Sequence, residues 1–188
     1  MPGAESKSTP VETTVTRSDD TTTRRLFFAL WPPASIRRQI AGERDAIGPV
    51  SRQRVPAHNY HLTLLFLGDQ DADQLGNIQS LGDALVGESF ELALDRWGFF
   101  DQARVAWLGA RAPKACLELA DALKSGAEAL GLEFPTRPFV PHLTVFRRVA
   151  PPFSPCRIEP IGWFVRDFSL IESIPHQPYQ VLRSWHLE

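Results

Sequence analysis

The sequence is poor in cysteine, and it contains no long apolar run. Cys116 and Cys156 are its only cysteines, and they form neither a CxxC pair nor a cluster with metal-ligand spacing. We therefore expect two free thiols, as in a reducing cytoplasm, and no bound metal or cofactor. No apolar stretch reaches the length needed to span a bilayer, so the sequence predicts a soluble protein without membrane contact.

An excess of positive charge is also absent. The formal net charge is −2, and lysine accounts for only three of the 20 basic residues. This balance excludes a general electrostatic attraction for long nucleic-acid backbones, so any contact with nucleic acid must be local. The remaining basic residues are arginines, whose planar guanidinium suits recognition of phosphate oxygens through paired hydrogen bonds.

Polar residues dominate the first 23 positions, which are rich in Thr and Ser and contain no apolar run. They lack both the apolar core of a signal peptide and the Arg-rich amphipathic pattern of a transit peptide. We predict a disordered polar leader over residues 1–23. The hydrophobic content of 43% is enough for one core, so residues 24–188 are predicted to form a single domain of one or two lobes, and the protein is expected to be a monomer.

Strand-like and helix-like patterns alternate along residues 24–188. Gly68-Asp69 is predicted to end a strand, and residues 101–103 are predicted to form a hairpin turn. Helical patterns cover 34–47, about 71–86 and 112–130. Strands are predicted over residues 26–31, 58–67, 90–100, 104–109, 137–149, 162–173 and 179–188. The expected fold class is α+β, with helices packed outside mostly antiparallel sheets.

A repeated tetrapeptide is the strongest chemical signal in the chain. His61-Leu62-Thr63-Leu64 and His142-Leu143-Thr144-Val145 lie 81 residues apart, each within a predicted strand. Successive side chains of a strand alternate between its faces. His61 and Thr63 should therefore point one way, with Leu62, Leu64 and Phe66 pointing the other way. Each copy presents an imidazole and a hydroxyl group together.

Two imidazoles and two hydroxyl groups are suited to splitting a cyclic phosphate. The reaction needs a base for water, an acid for the departing ribose oxygen and donors for the phosphoryl oxygens. Histidine titrates near neutrality, so a coupled pair predicts a bell-shaped pH–rate profile. Arg147 lies five residues after His142, and in a regular strand it would face away from His142. A bulge or the end of the strand would redirect it towards the phosphate.

These residues carry a resemblance to a known family. The paired HxTx motifs, RLFFALWPP before the first and RPFVPHLTVFRR around the second resemble the RNA 2′,3′-cyclic phosphodiesterases, also called 2′-5′ RNA ligases, of the 2H phosphoesterase superfamily. The resemblance covers residues 24–188. It implies a bilobal fold in which two mostly antiparallel sheets form a central groove, with one HxTx strand from each lobe. It also implies metal-free hydrolysis of a terminal RNA 2′,3′-cyclic phosphate to a 2′-phosphate, with 2′-5′ ligation as a reverse reaction in vitro.

The resemblance also implies roles for individual residues. His61 corresponds to the proton donor to the leaving 3′ oxygen, and His142 corresponds to the proton acceptor that activates water. Thr63 and Thr144 match hydroxyls that hold the phosphate, and Arg147 matches an arginine that contacts it. The sequence departs from the family at residues 176–179, His-Gln-Pro-Tyr, where members often carry a Gly-rich segment.

Other residues and other functions fit the sequence less well. Phe139 is a candidate for stacking on the terminal base, whereas most other aromatic residues are predicted to be core residues. His58 is predicted to be a rim residue. The alternative substrates are a small cyclic nucleotide, such as ADP-ribose 1″,2″-cyclic phosphate, and a 2′,5′-linked oligonucleotide. The alternative from another class is a non-catalytic module that binds RNA ends.

Overall fold

The structure, a computed structural model, describes residues 22–135 and 137–188. The predicted leader therefore lies outside the described residues, apart from Thr22 and Thr23, and Thr23 is already the first residue of a strand. The helices are α1 (Ala34–Ile47), α2 (Leu75–Asp83) and α3 (Lys114–Ala129). The strands are β1 (Thr23–Leu30), β2 (Gln53–Arg54), β3 (Leu62–Asp71), β4 (Phe90–Phe100), β5 (Val105–Ala110), β6 (His142–Arg147), β7 (Arg157–Val165), β8 (Asp167–Glu172) and β9 (Gln180–His186).

All strands of the described residues belong to one antiparallel sheet. Its order is β7-β4-β5-β6-β3-β1-β8-β9, and β2 pairs with β6. The central strands β3 and β6 share a single register pair, Leu62 with Leu143, whereas every other pair of neighbours along the order shares four or more. The two predicted sheets are thus two four-stranded halves that join at one point. We name them the His61 half (β3, β1, β8, β9) and the His142 half (β6, β5, β4, β7).

The helices cover one face of this sheet. Ile40 of α1, Ile78 of α2 and Leu123 of α3 are fully buried in a single large cluster with the inward side chains of both halves. Burying this apolar surface is the main stabilising contribution to the fold. The opposite face has its own small apolar cluster and no helix among the described residues. We call this opposite face the groove face. The packing of the helices against the other face confirms the predicted α+β class with helices on the outside.

Several predicted boundaries are wrong, each for a local reason. Residues 58 and 59, the predicted start of the second strand, lie instead in a 3₁₀ turn (Ala57–Asn59) after Pro56. Gly68 does not end β3, because its φ of +79° is accommodated at an irregularity in the pairing with β1. Residues 162–173 form parts of two strands rather than one, since β7 pairs with β4 whereas β8 pairs with β1 and β9.

The predicted thiols are confirmed as free, with Cys116 buried in α3 and Cys156 exposed. Within the described part of the chain, no helix is long and apolar enough to cross a membrane.

Candidate active site

The two HxTx motifs meet at the junction of the two halves. His61 directly precedes β3 and His142 is the first residue of β6, so both imidazoles lie at the N-terminal ends of the central strands. The pairing of Leu62 with Leu143 is antiparallel. Continuing that register by one residue places His61 across from Thr144 and Thr63 across from His142. The buried leucines between them point into the core, so the four polar side chains lie together on the groove face.

A bulge follows each motif at the same position. The pairing of β1 with β3 skips Leu64, and the pairing of β5 with β6 skips Val145, so that two consecutive residues of each strand point into the core. The extra residue reverses the alternation of the residues directly after it. Phe66 therefore lies on the groove face, in a cluster with Phe27 and Ala29, and its predicted orientation towards the core is wrong.

The same bulge decides the orientation of Arg147. In a regular strand this residue would face away from His142, but the extra residue at Val145 returns it to the groove face. The charge of Arg147 accordingly acts on both imidazoles, lowering the pKa of His61 and that of His142. Arg147 and Phe66 are equivalent positions of the two motifs, each three residues after the threonine. The first motif is thus followed by an aromatic ring, Phe66, and the second by a cation, Arg147.

Both imidazoles are held by the same local hydrogen bond. Nδ1 of His61 lies 2.7 Å from the carbonyl oxygen of Asn59, and Nδ1 of His142 lies 2.7 Å from that of Val140. Because a carbonyl oxygen only accepts hydrogen bonds, Nδ1 must carry the proton in each ring. This leaves Nε2 of both histidines as the nitrogen that exchanges protons with a substrate.

Aromatic rings enclose His61. The rings of Phe27, Trp31 and Tyr179 lie 4.9, 5.9 and 5.2 Å from the imidazole, measured between centroids, and Trp31 is nearly parallel to it. Tyr179 belongs to the loop that departs from the family pattern, and its backbone N–H donates to Oδ1 of Asn59. That loop therefore closes over the first motif.

His142 is bordered by Phe100 and Trp107, at centroid distances of 4.9 and 6.0 Å. Trp107 lies against the sheet over two glycines. A Cβ added at Gly98 would come within 2.1 Å of the Trp107 ring, and one at Gly109 within 2.4 Å. Glycine at both positions is therefore required for the indole to lie flat beside the second motif. The indole N–H has no hydrogen-bond partner among the described residues.

The environment lowers the pKa of both histidines. Burial, with smaller contributions from the charges of Arg147 and His142, lowers the pKa of His61 to about 4, although the bond to Asn59 opposes this shift. Burial and Arg147 also lower the pKa of His142, against the bond to Val140. Both rings are therefore neutral near pH 7 in the free protein. An anion bound between them would raise both pKa values and favour protonation of one ring.

The described residues contain no group of three or more His, Cys, Asp and Glu side chains placed to hold a metal ion. Thr63 and Thr144 are half-buried on the groove face beside the imidazoles. The assembled groups are two neutral imidazoles, two hydroxyls and one guanidinium. Such a set can move protons and stabilise negative charge on a phosphoryl group.

Other sequence candidates lie elsewhere. Phe139 packs against the main core, and its ring contacts neither imidazole, so its predicted stacking role gains no support. His58 is exposed in the 3₁₀ turn, as expected of a rim residue. Phe27 and Tyr179 were missed. Alternation along β1 is a signal for Phe27, because Leu26 and Phe28 point into the core, whereas no local pattern connects Tyr179 to His61.

Comparison with known proteins reveals clear relatives. The sequence model of the 2′-5′ RNA ligase superfamily matches residues 32–171. An RNA 2′,3′-cyclic phosphodiesterase from Escherichia coli (strain K12) is 40% identical over 126 residues, which are 66% of this chain and 72% of that protein. One from Thermus thermophilus is 33% identical over 178 residues, covering 87% of this chain and 90% of the relative.

Solved structures agree with these relatives. The crystal structure of E. coli LigT complexed with 3′-AMP superimposes with a TM-score of 0.80 at 34% sequence identity. The match covers 88% of this chain and 99% of LigT. The shared fold therefore extends over nearly all of the described residues.

Proposed function

Because the chain belongs to the 2′-5′ RNA ligase superfamily, we propose that it is a metal-independent RNA 2′,3′-cyclic phosphodiesterase. Its catalysts are His61 and His142, and the product is an RNA that ends in a 2′-phosphate. One observation carries the proposal: the two HxTx strands meet at a single residue pair, which brings both imidazoles and both hydroxyls to one point of the groove face.

His142 starts the reaction by removing a proton from water through Nε2. The water oxygen forms a bond to phosphorus while the bond from phosphorus to the 3′ oxygen breaks. His61 donates a proton to that oxygen, which leaves as a 3′-hydroxyl, and the phosphate remains on the 2′ oxygen. His142 then holds the proton taken from water and His61 is neutral, so proton exchange with solvent restores the starting state.

The surroundings of the two imidazoles support this division of roles. His61 lies among Phe27, Trp31 and Tyr179, an apolar environment that suits the sugar and base of the terminal nucleotide. The leaving oxygen belongs to that sugar, so the acid should be on the same side. Arg147 follows the second motif and stabilises the negative charge that develops on the phosphoryl oxygens.

The low pKa of His61 is compatible with its role as the acid. In the free protein burial disfavours the imidazolium, and Arg147 adds to this effect. The cyclic phosphate carries a negative charge, and binding it beside His61 raises the pKa of the imidazole. Protonation is thereby coupled to the presence of substrate.

E. coli LigT has been crystallised with 3′-AMP, a nucleotide of the size that this groove would receive. The cytoplasmic location expected from the free thiols, and the monomeric state, belong to the same proposal.

The decisive experiment is hydrolysis of a short RNA with a 2′,3′-cyclic phosphate in the presence of EDTA. We expect the unaltered protein to produce a 2′-phosphate. His61→Ala and His142→Ala should each lower kcat by about 10²–10⁴-fold, the usual contribution of a general acid or base. His186→Ala is the matched control, because His186 is exposed and its imidazole pairs with Asp167.

Circular dichroism would verify that the variants fold. Loss of activity in EDTA would contradict the metal-free mechanism. Turnover of small cyclic phosphodiesters without turnover of RNA ends would favour the small-nucleotide alternative. Binding of RNA ends without any turnover would favour the binding module.

A further inference from the structure

The groove face is covered beside His61 and open over the outer part of the His142 half. In the His61 half, Ala29 and Ile171 are completely buried on this face beneath Trp31, Phe66 and Tyr179. In the outer part of the His142 half the corresponding side chains are exposed. The outer part of the His142 half therefore offers space to an RNA strand that leaves the catalytic centre along the groove face.

A surface pocket of about 490 Å³ occupies this open region. Its floor consists of Ala93 and Gly162, which are cross-strand partners in β4 and β7. Small side chains on both strands create the depression, and a Cβ added at Gly162 would contact that of Ala93 at 3.7 Å, an ordinary van der Waals distance. Arg111 lines the pocket on the side of β5, and Phe164 lines it on the side of β7. The volume falls within the range of small-ligand sites and suits one nucleotide.

Strand register shows that the pocket continues the catalytic groove. Gly109 of β5 pairs with His142, and Arg111 lies two residues further along the chain. Arg111, on the side of the pocket nearest to the catalytic centre, therefore lies about 7 Å along the strand from the position paired with His142. One strand spacing, about 4.8 Å, separates the two strands. Arg96 pairs with Gly109 and lies over it, which identifies this face as the one that carries His142.

The chemistry of the walls suits a nucleotide. Phe164 is 48% exposed, and the guanidinium of Arg166 lies 5.3 Å from the centre of its ring. Neither Arg111 nor Arg166 forms an ion pair with any carboxylate of residues 22–135 and 137–188. An exposed aromatic ring beside unpaired arginines is the usual arrangement for single-stranded RNA, with stacking on the ring and charge on the backbone. Glu91, the acidic side chain in the lining, offers an acceptor for base amino groups.

We infer that this pocket binds a nucleotide of the RNA strand next to the reacting end, with its base against Phe164 and its phosphate near Arg111. The inference rests on the proposed function and specifies its substrate: an oligoribonucleotide is bound at two places, and a nucleoside 2′,3′-cyclic phosphate only at the catalytic centre. The preference for RNA over small cyclic nucleotides is located in the His142 half.

The test compares kcat/KM for a short oligoribonucleotide with a 2′,3′-cyclic phosphate and for the corresponding nucleoside 2′,3′-cyclic phosphate. Arg111→Ala, Phe164→Ala and the pocket-filling Gly162→Leu should each lower kcat/KM for the oligoribonucleotide about tenfold, mainly through KM. All three should change kcat/KM for the nucleoside 2′,3′-cyclic phosphate by less than about twofold. Arg111→Ala should also reduce the salt dependence of oligoribonucleotide binding, by about 0.7 in the logarithmic slope.

Two controls match the chemistry of the changes. Val181→Ala removes an exposed apolar side chain at the opposite edge of the sheet, and Arg38→Ala removes an exposed arginine from α1. Both variants should leave kcat/KM unchanged for the two substrates. If the pocket variants affect both substrates equally, or neither, the inference is wrong while the proposed function stands. If the unaltered protein hydrolyses neither substrate, the proposed function itself fails.

Discussion

The His61 half and the His142 half use the same backbone design and surround it differently. In each, an imidazole is held by the carbonyl oxygen two residues before it, and a bulge after the threonine turns one further side chain onto the groove face. That side chain is Phe66 in one half and Arg147 in the other. A duplicated strand thus provides two similar imidazoles, and the neighbours give them different chemistry.

The difference teaches how one fold supplies both an acid and a base. Aromatic rings enclose His61, and burial lowers its pKa to about 4, so a proton on this ring requires an anion nearby. His142 has the arginine on its own strand and the open part of the groove face next to it. We assign the nucleoside to the first environment and the water and phosphoryl oxygens to the second.

The largest expected effect comes from changing the two equivalent side chains. Arg147→Ala should lower kcat/KM by about 10²–10³-fold, because it removes a charge that stabilises the transition state. Phe66→Leu, at the equivalent position of the other half, should change kcat/KM by less than about threefold. Steady-state kinetics on a nucleoside 2′,3′-cyclic phosphate measure both. Equal losses in the two variants would mean that the halves are not specialised as described.

A smaller effect concerns stability and pH. Since folding lowers the pKa of His61 from 6.5 to about 4, the unfolded chain binds the proton more readily between these values. The free energy of unfolding should therefore fall as the pH drops from 6.5 to 4, and His61 should account for up to about 3 kcal/mol of that loss. Urea unfolding of the unaltered protein and of His61→Gln at pH 7 and pH 4 would isolate this contribution. Parallel losses in both proteins would contradict a buried neutral His61.

The same shifts predict the position of the pH–rate profile. Because the pKa values of both histidines lie below 6.5 in the free protein, the bell-shaped profile of kcat/KM should have its maximum below pH 6.5. Arg147→Ala should move the maximum upwards, since the guanidinium lowers both pKa values. A maximum above pH 7 for the unaltered protein would be inconsistent with this environment.

The smallest effect tests the support beneath His142. Gly98→Ala brings a methyl group into the ring of Trp107 and should cost about 1–3 kcal/mol of stability, with some loss of activity. Gly162 also lies on the groove face of the His142 half. Its replacement by alanine places the new methyl group at ordinary contact distance from its neighbours and should change the free energy of unfolding by less than about 0.5 kcal/mol. Thermal unfolding compares the two variants. If both behave alike, the glycines do not serve the placement of Trp107.

The family and the fold class could be predicted from the repeated HxTx motif, and both predictions are confirmed. The motif places its residues by strand alternation, which holds from His61 to Thr63 and from His142 to Thr144. Alternation fails after the bulges, which depend on pairing with β1 and β5 rather than on local sequence. The orientations of Phe66 and Arg147 therefore required the structure.

Contacts between distant segments could not be predicted from the sequence either. Tyr179 reaches His61 from a loop 118 residues further along the chain, because β8 and β9 lie beside β1 in the same half. The assignment of Phe139 as a base platform failed to gain support for a similar reason. Its proximity to the second motif in sequence does not bring its ring to the groove face, where Phe100 and Trp107 occupy the place beside His142.

The most direct test of the division between the halves is a change of leaving group. In a 3′-deoxynucleoside 2′-(4-nitrophenyl phosphate), nitrophenolate replaces the 3′ oxygen and departs without a proton, but water must still be activated. We predict that His61→Ala hydrolyses this substrate at nearly the rate of the unaltered protein, whereas His142→Ala remains impaired by about 10²-fold or more. Equal impairment of both variants, or rescue of His142→Ala alone, would contradict the assignment of His61 as the acid and His142 as the base.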